Sequence, residues 1–204
     1  MTLAPTLALP TMLGHLGPHL SHDAASAFTE GLLHPLSGLD HLLAMCAIGL
    51  LAARVRQPHA VATERHASPF IAPLLTALGL LVGFALGRAG ASSAAAGDTA
   101  ALALGVELAI AGTVLALGLA LARRPTPQSW VFAIPLVTFF HGQAHGLEAP
   151  PDAAFFALGM TLTSVALVVT ARTLVQTWHP RQAWLSATGG AIAVTGLALV
   201  LTRL

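Results

Sequence analysis

Charged side chains are scarce in this sequence: Asp, Glu, Lys and Arg make up 8% of its 204 residues, against about a quarter in soluble domains. So few charges cannot coat a water-soluble globule. With 55% apolar residues and a mean hydropathy of +0.78, the chain reads as an integral membrane protein. Cysteine is nearly missing too. Cys46 stands alone, which excludes an intramolecular disulfide. Lysine is absent: the 9 basic residues are all arginine, scattered in ones and twos, and a net charge of +1 gives no argument for a nucleic-acid partner. There is no Gly-x-x-x-x-Gly-Lys loop, so the chain does not itself hydrolyse ATP. Period-2 alternation is lacking as well. Since an open sheet cannot satisfy its backbone in lipid, the expected fold is all-α, a polytopic membrane helical bundle.

What is present is a series of apolar blocks, each about 20 residues long, the length that crosses a hydrocarbon core of about 30 Å. The pattern predicts six spans, at 32–53, 70–90, 99–122, 130–148, 153–176 and 183–203. Short connections leave no room for a second folded domain, so residues 31–204 read as one transmembrane domain. Residues 1–30 read as a leader or an outer tail: the stretch is apolar at first, yet it has no basic start and is punctuated by Pro5, Pro10, Gly14, Gly17 and Pro18. Arg54, Arg56, Arg65, Arg123, Arg124, Arg172 and Arg181 fall at loops or helix ends on one side, leaving Arg88 and Arg203 for the other. The positive-inside rule then puts both termini outside. Trp130, Trp178 and Trp184 fall at the inner interface, where aromatic anchoring accounts for them. Gly79, Gly83 and Gly87 give the second span a flat strip for close approach of another helix.

Two polar clusters interrupt these apolar blocks: His34-Pro35-Leu36-Ser37-Gly38-Leu39-Asp40-His41 and Phe140-His141-Gly142-Gln143-Ala144-His145-Gly146-Leu147-Glu148. An ionisable group near the bilayer centre costs roughly 2.5 to 3.5 kcal/mol on insertion scales, so it persists where it pairs, lines a cavity or binds something. Imidazoles beside carboxylates most simply bind a divalent transition metal. On a helix His141, His145 and Glu148 share one face. His34, Gly38, His41 and Met45 form a similar stripe, with Asp40 beside it and Pro35 marking His34 as at or just before a first helical turn. A seven-residue step covers about 10 Å. With the two helices antiparallel, the expected arrangement is a ladder: His34 level with Glu148 in an outer tier, Asp40 and His41 level with His141 in a deeper one.

Glu107 lies about two turns into the third span, at the depth of His41. It is expected in the same cavity as a ligand, a partner of a histidine or a counter-charge, with a structural interhelical hydrogen bond as the alternative. Imidazole with carboxylate suits Ni²⁺, Co²⁺, Zn²⁺ or Cu²⁺, whereas Cu⁺ would want several sulfurs. Met45 and Cys46 are the nearby sulfurs; Met45 is a possible flank of the deeper tier, although core packing explains both. His15, His19 and His22, with Asp23, form a looser outer cluster suited to capturing metal. His59, His66 and His179 lie in inner loops and read as solvated.

At these residues the sequence resembles the HupE/UreJ family of bacterial nickel and cobalt permeases. The family's first motif, His, five residues, Asp-His, is met by His34, Asp40 and His41; its second, Phe-His-Gly-x-Ala/Val-His-Gly-x-Glu, by Phe140, His141, Gly142, Ala144, His145, Gly146 and Glu148. The resemblance implies uptake of Ni²⁺, or Co²⁺, across the bacterial inner membrane, with Zn²⁺ as a competitor, no resident cofactor, and nickel enzymes or their chaperones downstream. Family members usually begin with a secretory leader and an outer His-containing segment; the basic start of such a leader is missing here. Two other readings stand beside it: an intramembrane zinc hydrolase, in which three ligands hold Zn²⁺ and a metal-bound water attacks a lipid or peptide carbonyl, and a scaffold whose polar residues join helices. The oligomeric state is open.

Overall fold

The computed structural model describes residues 23–54, 68–93, 96–123, 128–149 and 152–204. They form seven α-helices: α1 (Ala24–Ser37), α2 (Leu39–Arg54), α3 (Ile71–Ser93), α4 (Ala96–Ala122), α5 (Ile134–Leu147), α6 (Ala153–Trp178) and α7 (Gln182–Arg203), with a 3-10 segment, Gln128–Ala133, leading into α5. No strand occurs among the described residues. The architecture is the helical membrane bundle that the composition implies. Leucines and valines such as Leu74, Leu158, Leu162, Val194 and Leu201 are exposed on its outside, as lipid-facing positions should be.

Of the six expected spans, four are met among the described residues by single long apolar helices. α3, α4, α6 and α7 are each long and apolar enough to cross a bilayer. The segment expected as one span at 32–53 is a broken pair, α1 and α2, bent by 75°. The sequence carries the cause. Pro35 lies inside α1 and has no N–H to give to the preceding turn; Gly38, with φ −85° and ψ 114°, is extended and stops the helix. His34 therefore sits in the last turn of α1, not at a helix start. α1 itself begins at Asp23, whose side chain accepts from the Ser26 N–H at 2.7 Å. That N-terminal cap holds the Asp23 carboxyl below its usual range. α5, with 14 residues, is shorter than the about 20 a crossing needs; the expected span 130–148 covers it and its 3-10 lead together.

Glycines set how the helices meet. The strip at Gly79, Gly83 and Gly87 packs on α5 of the same chain: a methyl at Gly83 would strike the Phe139 carbonyl, and one at Gly87 the Gln143 carbonyl. α5 answers with its own glycines, Gly142 against the Leu80 carbonyl and Gly146 against that of Phe84. The contacts step forward together along both helices, so α3 and α5 run parallel with their backbones touching. Gly31 and Gly159 bring α1 onto α6, Gly49 brings α2 onto α6, and Gly118, Gly189 and Gly196 bring α4 onto an antiparallel α7.

Among the described residues two apolar clusters fill the interior. One holds Met45, Ile48, Leu117, Leu121, Val137 and Val168; the other holds Leu80, Phe84, Phe156, Ala157 and Met160. Arg172, expected at a loop or helix end, is instead inside α6 and buried. Trp178 and Trp184 are exposed where α6 ends and α7 begins.

Candidate metal centre

The break at Gly38 brings the last turn of α1 and the first turn of α2 to α5. Because α5 gives its glycine face to α3, His141 and His145 are left for this side of the helix. His34 of α1, His41 of α2 and His145 of α5 offer ring nitrogens that all lie within 4.8 Å of one another. The rings interleave: His34 to His145, 4.2 Å between centroids, His145 to His41, 4.6 Å, and His41 to His141, 4.6 Å. His41, His141 and His145 are buried and His34 is half-buried. Phe156 walls the group, 5.6 Å from His34 and 6.2 Å from His145 between ring centres.

The protons can be placed from the hydrogen bonds. Asp40 Oδ1 accepts from the His41 backbone N–H at 2.8 Å and lies 3.0 Å from His41 Nδ1. An ionised carboxylate only accepts, so Nδ1 of a neutral His41 carries the proton and its Nε2 is a bare lone pair. His41 Nε2 and His145 Nε2 are 2.6 Å apart. The shared proton therefore belongs to His145. A metal ion bound at about 2.0 to 2.1 Å to both nitrogens would take the place of that proton and push them a few tenths of an ångström apart. Deeper in, Thr113 Oγ1 donates to the Ile110 carbonyl at 2.7 Å and lies 3.3 Å from His141 Nε2. With its own proton committed, that hydroxyl accepts from His141 Nε2–H. His141 Nδ1 is then the bare nitrogen, buried and with no hydrogen-bond partner among the described residues.

The charges beside the row come from three helices. Arg203, at the end of α7, lies with Nη2 3.2 Å from Asp40 Oδ2 and Nε 3.7 Å from Glu107 Oε2, and its Nη1 donates to the Glu107 carbonyl at 2.8 Å. Glu107 thus faces Arg203. Glu148 is exposed at the C-terminal end of α5 and outside the three-histidine group. Arg88, on α3, donates to the Ala149 carbonyl at 2.8 Å at the same end of the molecule. Met45 is fully buried in the apolar core. His15, His19 and His22, like His59 and His66, lie outside the described residues. His179 closes α6 in a left-handed conformation, φ 47°, away from the histidine row.

The ladder differs in register from the two-tier expectation. His145, not Glu148, is level with His34, and His41 touches both His145 and His141. Thr113, Phe156 and the pairing of Arg203 escaped the sequence reading; they sit in ordinary apolar or terminal contexts, with no local pattern to single them out.

The HupE / UreJ protein family model matches residues 7–199. Protein HupE of Rhizobium leguminosarum bv. viciae is 33% identical over 207 residues, covering 98% of this chain and 95% of that protein. No solved structure matches the chain.

Proposed function

The chain belongs to the HupE/UreJ family, and on that premise we propose that it is a permease that carries a divalent transition metal ion, Ni²⁺ or Co²⁺, across the bacterial inner membrane. The observation that carries this reading is the row of four imidazoles, three of them with nitrogens inside 4.8 Å, enclosed by apolar helices. A single binding site needs no row. Ring centres spaced by 4.2 to 4.6 Å let an ion pick up the next nitrogen before it gives up the last, which keeps it coordinated where no water is available.

Entry is at the half-buried His34. Exposed Glu148 at the same end attracts the cation, and the outer His15, His19 and His22 add capture from the N-terminal segment. The ion then takes the lone pair of His41 Nε2 and, as the proton on His145 Nε2 passes to the other ring nitrogen or to water, that of His145, and moves on to His141. Release on the inner side requires that no position bind too tightly. Imidazole donors also accept Zn²⁺, which is expected to compete. Nickel enzymes or their chaperones are the destination.

Three histidines are also the ligand number of many catalytic zinc sites, so the test includes a hydrolase arm. Radiolabelled Ni²⁺ entry into proteoliposomes is expected to saturate, to be inhibited by Co²⁺ and Zn²⁺, and to be lost in His41→Ala and His141→Ala proteins that insert normally. Normal entry in both variants would sink the shared pathway. Chelator-sensitive cleavage of a lipid or peptide by the purified protein would establish the hydrolase instead.

A further inference from the structure

The family match ends at residue 199, and beyond it Arg203 makes the contacts that tie the histidine row to its charges. Asp40 has two carboxylate oxygens with separate tasks. Oδ1 serves His41, through both ring and backbone, and Oδ2 faces Arg203 Nη2 at 3.2 Å. A carboxylate on the far nitrogen of a metal-binding histidine strengthens the donor nitrogen, and such outer partners are worth about 10- to 100-fold in metal affinity. A guanidinium on the same carboxylate opposes that effect by drawing its charge away. Glu107 does little to relieve it: that side chain is 51% exposed and its oxygen is 3.7 Å away, whereas Asp40 is 17% exposed. Solvent screens the first pair more than the second.

We propose that Arg203 is a positioning residue that limits how tightly the centre holds its ion, by occupying Asp40 Oδ2 and sharing the carboxylate's charge with His41. The inference rests on one part of the reading above, that the histidine row binds a divalent metal ion. It has two physical parts. Arg203 weakens the push of Asp40 on His41, and it keeps Oδ2 from turning to the ion as an additional anionic ligand. Both raise the rate of release, which a conducting row needs as much as it needs affinity. A purely structural tether between α7, α2 and α4 would behave differently: its loss would loosen the helices and weaken binding.

The direction of the change separates the two. Purified Arg203→Gln protein, titrated with Co²⁺ and followed by its visible absorption, is expected to bind about tenfold more tightly than wild type, the lower end of the range for such partners. In proteoliposomes the same variant should show a lower KM and a lower maximal rate of Ni²⁺ entry per inserted molecule. Arg203→Lys, which keeps the charge, should move both values back toward wild type. An unchanged or weaker Kd in Arg203→Gln overturns the proposal.

If removing the guanidinium leaves Asp40 unbalanced and Arg203→Gln does not fold, the comparison of Asp40→Asn with Asp40→Asn/Arg203→Gln decides. These remove the charge through which Arg203 acts, so the two should bind Co²⁺ equally; a difference would put the effect of Arg203 elsewhere and overturn the proposal. The wild-type arm keeps the two readings apart. Binding without Ni²⁺ entry overturns the permease alone, and absence of Co²⁺ binding overturns both.

Discussion

Gly38 is required for space, not for backbone freedom. Its φ of −85° and ψ of 114° suit any residue, but a Cβ there would lie 3.2 Å from both Asp40 Oδ1 and His41 Nδ1. That is tighter than ordinary contact and falls on the bond that orients His41. Gly38→Ala is therefore expected to fold and span the membrane while binding Co²⁺ several-fold more weakly, read by titration of the purified protein; wild-type affinity would show that the Asp40 to His41 bond does not tune the centre. Thr113 has an analogous role for His141, because a hydroxyl whose proton goes to Ile110 leaves only its lone pair for the ring. Gly38 already stood in the histidine stripe of the sequence as the residue that opens space there, but that the space serves the Asp40 to His41 bond came from the fold; Thr113, one polar residue in an apolar helix, gave no signal.

At the scale of elements, the second motif divides its residues between two faces of α5. His141 and His145 go to the histidine row; Gly142 and Gly146 go to α3, with the Leu80 and Phe84 carbonyls in the place of absent side chains. The glycines thus fix the distance and rotation of the helix that presents the histidines. Gly142→Ala forces a methyl into backbone that has no rotamer to give, and overpacking of this kind costs about 1–3 kcal/mol. It is expected to lower thermal stability and to weaken Co²⁺ binding together, whereas Gly190→Ala on α7, with nothing within 4 Å, should change neither. Equal behaviour of the two variants in thermal unfolding and titration would dismiss the glycine contact as a determinant of the site. The strip on α3 announced a close helix partner in the sequence; only the fold identified it as α5.

At the scale of the molecule the two ends differ in character. Arg54, bonded to the Leu121 carbonyl, Arg123, Trp178 and Trp184 gather at one end; Asp40, Glu148, Arg88 and Arg203 gather near the other, with the histidine row. The charge rule predicts that the histidine end faces outward. In a Cys46→Ser background, Glu148→Cys is expected to react with a membrane-impermeant maleimide applied from the periplasmic side, and His179→Cys only after the membrane is breached. The reverse labelling would turn the direction of transport around.

The sequence by itself determined the class of structure and which helices carry the histidines. Few charges and long apolar blocks dictate a helical membrane bundle, because lipid offers no other partner to the backbone, and residues spaced by three or four share a helix face because rise and rotation are intrinsic to the helix. Those rules placed His141 and His145 together and set both motifs in apolar helices. They could not fix how one helix registers against another. That was decided by backbone contacts at glycines and by the 75° break at Gly38, and it settled that His145 meets both His34 and His41, that Met45 is core, and that Arg203 reaches Asp40 from 163 positions away.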